Sequence, residues 1–135
     1  MEVIYKNSYF EVLHDASKEM FHYAYNESSY HMQPTEYIQL LEDFIQLTYQ
    51  HCPRLMLGDM MDFQFIITPD IQEWIDQNLF KVYKEVGFKK MALLLSKEYV
   101  PKLSIQQAMD EDTTNAFKTQ YFDDQEKALA WLLAG

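Results

Sequence analysis

The stretch Leu55-Met56-Leu57-Gly58-Asp59-Met60-Met61-Asp62-Phe63-Gln64-Phe65-Ile66-Ile67-Thr68-Pro69-Asp70 decides the fold. Leu55 to Met61 is a continuous apolar run broken only by Gly58-Asp59. A short run without polar alternation fits a strand buried on both faces, as in a parallel sheet. Thr68-Pro69-Asp70 has the makings of a helix start: a hydroxyl cap, then proline, then an acid in the first turn. Ile71, Trp74, Ile75, Leu79, Val82 and Val86 follow as an apolar stripe, and Gly87 stands where a left-handed C-terminal residue is wanted. Residues 62–67 are then the connection from strand to helix.

Working outward, Tyr9 to His14 is rich in β-formers. Met20 to Asn26 alternates, with Phe21, Tyr23 and Tyr25 on one side and His22 and Ala24 on the other. Asp15-Ala16-Ser17-Lys18 between them reads as a turn, which makes an antiparallel hairpin. Pro34 opens a helix over 34–50, whose stripe is Tyr37, Leu40, Leu41, Phe44, Ile45 and Thr48. Lys89 to Ser96 carries a second uniformly apolar strand. Pro101 opens a short helix, and 110–115 is a polar loop. Phe117 to Phe122 is a strand. Asp123-Asp124-Gln125-Glu126 has capping-box spacing ahead of a helix with Ala128, Leu129, Trp131, Leu132 and Leu133. The order is β-β-α-β-α-β-α-β-α. It predicts a single α/β domain over 1–135, with a mixed, mostly parallel sheet, the hairpin at its antiparallel edge and helices packed on the sheet.

The chain has 135 residues and a formal charge of −10. One arginine, Arg54, and one adjacent basic pair, Lys89-Lys90, cannot make the cationic stripe that nucleic acid requires. An anionic membrane surface is disfavoured by the same repulsion. No apolar stretch approaches the ~18 residues of a membrane span, and residues 1–6 lack the pattern of a signal peptide. The lone Cys52 forms no internal disulfide and no multi-thiolate metal site, which fits a reducing, cytoplasmic setting.

The chemistry-bearing residues are sparse. His14, His22, His31 and His51 show no i, i+4 pair of the metal-binding kind, although His14 and His22 sit where they would face each other across the hairpin. Cys52 adjoins His51, but neighbours at a helix end seldom point at one another, and no third group orients them. Asp59 and Asp62 lie near the C-terminal end of a central strand, where open α/β sheets bind ligands. No Gly-rich loop or lysine accompanies them, so they read as solvated loop acids. No catalytic set, metal or cofactor is expected.

The apolar surplus of Met56, Met60, Met61, Phe63, Phe65, Ile66 and Ile67 is the outstanding feature. Leaving each large side chain in water costs ~1.5–3 kcal/mol. The cluster is therefore buried in the domain, covers a pocket or forms an interface. On the interface reading, replacing Phe63 and Phe65 by serine dissolves a dimer and leaves the fold intact.

Three stretches carry a resemblance: Leu55-Met56-Leu57-Gly58-Asp59, the Thr68-Pro69-Asp70 helix start, and Tyr121-Phe122-Asp123-Asp124-Gln125-Glu126-Lys127-Ala128-Leu129-Ala130-Trp131-Leu132. With the element order, they resemble the STAS fold of anti-sigma-factor antagonists, in its STAS-like (SpoIIAA-like) branch, whose shape is shared with CRAL-TRIO lipid-transfer domains. The antagonists carry a phosphorylatable Ser or Thr just after the acid that ends the third strand. Here Asp59 matches the acid, but Met60-Met61 follow it, and the first hydroxyl is Thr68. The resemblance implies a non-catalytic regulatory or protein-interaction module without that phosphorylation site. Asp59, Met60, Met61, Asp62, Phe63, Phe65 and Thr68 are its candidate contact residues. The CRAL-TRIO shape implies the alternative, a carrier of a small apolar molecule or lipid.

Overall fold

A computed structural model of the chain describes residues 1–96 and 117–134. Six strands form one sheet in sequential order: β1 (Glu2–Lys6), β2 (Phe10–Asp15), β3 (Met20–Tyr25), β4 (Leu55–Asp59), β5 (Lys90–Leu94) and β6 (Lys118–Phe122). The first three strands run antiparallel as a meander, and β3 through β6 run parallel. Three α-helices occur among the described residues: α1 (Pro34–His51), α2 (Pro69–Glu85) and α3 (Gln125–Leu133). The mixed sheet and the N-terminal hairpin are as expected, but the hairpin is not the edge. β1 lies outside it and forms that edge. The helix expected from Pro101 and the loop 110–115 lie outside the described residues.

The registers sort the strand residues onto two faces. Phe21, Met56 and Met91 are lateral neighbours on one face; His22, Leu57 and Ala92 are neighbours on the other. The first face holds the larger core. There Phe10, Val12, Phe21, Tyr23 and Tyr25 meet Tyr37, Leu40, Leu41 and Phe44 of α1 and Ile71, Ile75, Leu79 and Tyr83 of α2. The opposite face is covered by α3, whose Ala128 and Leu132 bury Met20, Leu57, Ala92 and Leu94. Lys90 fastens α3 to β5: its Nζ donates to the Trp131 carbonyl at 2.9 Å and lies 5.0 Å from the centre of the Trp131 ring.

Each helix shows why it starts and stops. Pro34 occupies the first turn of α1, and Glu36 reaches back to accept from the Gln33 N–H at 2.8 Å. Cys52 ends α1 in the left-handed region (φ 46°) and donates its N–H to the Thr48 carbonyl at 2.8 Å. Gly87 takes φ 75° after α2, a conformation that disfavours side chains. The cap of α3 is Asp124, which accepts from the N–H groups of Glu126 (2.8 Å) and Lys127 (3.3 Å). Glu126 is thus second in the helix, one position short of a reciprocal capping box. Thr68 is not a hydroxyl cap either. Its Oγ donates to the Asp70 carboxylate, which is held below the usual carboxylate range by that bond and by backbone N–H groups.

The histidines pair differently from the expectation. His22 lies opposite Leu13 and His14 opposite Phe21, so the two do not meet across the hairpin. Instead the His14 and His51 rings lie 4.5 Å apart, with the buried Phe21 edge-on to both. Burial lowers the pKa of His51, and the neighbouring His14 lowers it further against a smaller opposing effect of Glu2. Burial also lowers His22, against the pull of Asp59 and Glu11. Both imidazoles therefore take up protons less readily in the fold than in the unfolded chain, where they do so near the ordinary value of about 6.5. Their contribution to stability is complete above that pH and declines as the pH falls from there toward their lowered native values. The urea midpoint is expected to be lower at mildly acidic than at neutral pH, with a shallower slope in His51→Gln. A midpoint in His51→Gln that follows pH as steeply as the parent would contradict this assignment.

Candidate functional site

The C-terminal ends of the parallel strands are roofed by residues 60–67. The Met60 N–H donates to the Leu94 carbonyl at 3.0 Å, which carries the β4–β5 pairing one residue past the strand. The chain then turns: Asp59 Oδ1 accepts from the Met61 N–H at 3.0 Å, and the Phe63 N–H donates to the Met60 carbonyl at 3.2 Å. From 62 to 67 the chain has no regular secondary structure, yet its burial alternates. Phe63, Phe65 and Ile67 are half-buried against the larger core, while Gln64 and Ile66 are exposed. The Phe63 ring meets Tyr25 at 4.6 Å and Tyr37 at 6.0 Å, and Phe65 meets Tyr37 at 4.6 Å.

A second segment is tied to this roof. Glu27–His31, capped by Asn26, forms a short 3-10 turn whose Ser29 is fully buried. Ser29 Oγ donates to the Asp62 carbonyl at 3.3 Å and accepts the Gln64 N–H at 2.9 Å. One hydroxyl therefore satisfies two backbone groups of the roof. Ser29→Ala is expected to cost about 1–3 kcal/mol, because two hydrogen bonds of about 0.5–1.5 kcal/mol each are lost. Hydrogen exchange at the Gln64 amide should speed up in that variant; an unchanged rate would show that the strap holds nothing.

The seven candidate residues divide by environment. Met60, Phe63 and Phe65 are half-buried and pack on the core, so replacing the two phenylalanines strikes the fold along with any interface. Asp59 spends one oxygen on the backbone, Thr68 bonds Asp70, and Asp62 is exposed. Met61 is 46% exposed. Ile66, part of the apolar surplus though not one of these seven, is 80% exposed, and Tyr30, which pattern reasoning did not nominate, is 68% exposed; both stand on the strapped segments. Tyr30 was missed because its neighbourhood to the roof runs through Ser29, 33 residues from Asp62 in the chain.

The chemistry of this end is apolar and acidic. The phenols beneath it do not ionise at ordinary pH: burial drives Tyr25 and Tyr23 strongly upward and pushes Tyr37 up to about 12. Among the described residues, no three His, Cys, Asp or Glu side chains are placed to hold a metal ion. Cys52 lies elsewhere, exposed at the end of α1, with its Sγ 3.4 Å from the Tyr49 carbonyl. A separate groove of about 400 Å³ runs between the β1–β2 turn and α1. Its polar groups bond one another: Tyr5 donates to Asp43 and Tyr9 to Glu36, each at 2.9 Å.

The chain matches no protein-family model, no curated protein and no solved structure. Among the described residues, no helix is long and apolar enough to cross a membrane.

Proposed function

We propose that the protein is a non-catalytic, cytoplasmic regulatory module of STAS-like type that binds a protein partner through the C-terminal end of its sheet. The observation that carries this reading is the pair of strapped segments, 27–31 and 60–67, which present Tyr30, Met61 and Ile66 to solvent from a base of packed aromatic rings. Contiguous exposed apolar side chains mark interaction sites, and the Ser29 bonds to Asp62 and Gln64 set these two segments side by side. A firm base lowers the ordering cost of binding. The missing hydroxyl after Asp59 removes the phosphorylation switch of the antagonists, so regulation here works through binding alone. The carrier alternative is less well supported, because Phe63 and Phe65 occupy the space between this end and the core where an apolar ligand would need to lie.

Photo-crosslinking tests the proposal. A photoreactive amino acid at position 66 should give discrete adducts with a host protein in cells. The same residue at position 77, on the exposed side of α2, should give none. Equal adducts from both positions, or none from position 66, would overturn the proposal.

A further inference from the structure

The parallel strands sort charge between the two ends of the sheet. Arg54 precedes β4, Lys89 and Lys90 open β5, and Lys118 opens β6. Backbone bonds place these starts side by side: the Lys89 N–H donates to the Arg54 carbonyl at 2.9 Å, and the Lys118 N–H to the Lys89 carbonyl at 3.0 Å. Two of the three opposite ends lead into acids: β4 ends at Asp59 with Asp62 following, and β6 leads into Asp123 and Asp124, with Lys127 in the first turn of α3. Across residues 55–80 the sequence holds five acids (Asp59, Asp62, Asp70, Glu73 and Asp76) and no lysine or arginine. The segment 26–38 adds Glu27 and Glu36, also without lysine or arginine. The exposed apolar side chains Tyr30, Met61 and Ile66 therefore stand on segments whose only formal charges are negative.

Resting on the interaction module proposed above, we infer that the partner presents apolar anchor side chains flanked by lysine or arginine. Apolar contact supplies the affinity, and the acidic rim selects and steers a basic partner. A second copy fits poorly: a two-fold contact sets the same face against itself and opposes Asp59, Asp62 and Glu27 to their own counterparts. An anionic lipid surface meets the same repulsion.

The probe is a fluorescent amphipathic peptide of leucine and lysine, measured by anisotropy against the whole protein beside an identical peptide with glutamate for lysine. The comparison variant is Tyr30→Ser/Met61→Ser/Ile66→Ser. It preserves the net charge and touches only exposed side chains, so its urea midpoint should stay near that of the parent. The lysine peptide should bind the parent, and the triple variant should weaken it about tenfold or more. Binding should also weaken in about 0.3 M salt, and the glutamate peptide should not bind. If the glutamate peptide binds equally well and with the same dependence on the three residues, the basic partner is wrong while the interaction module stands. If the lysine peptide binds parent and variant alike, the contact is diffuse attraction to an acidic protein, and the inference fails. Failure of both peptides to bind also overturns it. So does sedimentation showing a dimer that the triple variant dissolves, since the face would then belong to a second copy.

Discussion

Gly58→Ala should lower stability by about 1–3 kcal/mol, and Gly58→Val by more, because the variants overpack the sheet against Tyr23 and Leu93. A Cβ at position 58 would lie 2.5 Å from both Cζ and the hydroxyl oxygen of Tyr23 and 2.8 Å from Leu93 Cδ2. The Tyr23 ring has little room to yield. It packs at 5.7 Å from Phe10, 5.5 Å from Phe44 and 6.4 Å from Tyr25, and its hydroxyl lies 3.7 Å from Met91 Sδ. The glycine is therefore the space that lets the Tyr23 phenol lie across the parallel β3–β4 pair at the centre of the mixed sheet. Urea titration measures the loss, and a double-mutant cycle tests its cause. Tyr23→Leu shortens the ring end, so Gly58→Ala should cost markedly less in that background. Equal costs in the two backgrounds would show that the phenol is not what position 58 accommodates.

That role of Gly58 was invisible in the sequence, where it reads as a break in an apolar run. The helices were legible because stripes such as Tyr37-Leu40-Leu41-Phe44 and the openings at Pro34 and Pro69 are local signals. The strands β4 and β5 were legible as unalternating runs for the same reason. β1 was not. It has five residues, and the β1–β2 register shifts between Val3 and Tyr5, so Val3, Ile4 and Tyr5 follow one another without the period of two that announces a strand. Residues 62–67 are the connection that the sequence predicts, but their packing was not legible in it. They alternate in burial like a strand, but their inward side faces the aromatic core across the ends of the sheet.

The charge pattern belongs to the same class of hidden feature. A net charge of −10 reads along the chain as acids scattered over helix faces and loops. Parallel pairing changes that, because it aligns the starts of β4, β5 and β6 at one end and their exits at the other. Arg54, Lys89, Lys90 and Lys118 then gather at the starts. Two of the acids there are partly neutralised, Glu19 3.9 Å from Arg54 and Asp15 3.8 Å from Lys18. Asp59 and Asp62 at the exit of β4 then share one segment with the exposed Met61 and Ile66. Sequence order cannot show this sorting until the direction of each strand is known.

The roof over the strand ends should divide sharply under mutation. Phe63→Ala/Phe65→Ala is expected to lose about 3–5 kcal/mol, less than two fully buried phenylalanines would, since each ring is half-buried. Ile66→Ser, one residue away, should stay within about 0.5 kcal/mol of the parent. The two phenylalanine substitutions should not add independently, because the rings lie 6.4 Å apart and both contact Tyr37. Paired urea melts and amide exchange across 60–67 read both effects. If the double variant keeps the parental midpoint, the aromatic roof contributes nothing to the fold, and the firm base assigned to the binding face goes with it. If Ile66→Ser is as damaging as the double variant, its exposure in solution is not what the structure shows. The expected division has a practical consequence: any loss of binding in Phe63 and Phe65 variants mixes unfolding with contact, whereas Met61 and Ile66 report on contact alone.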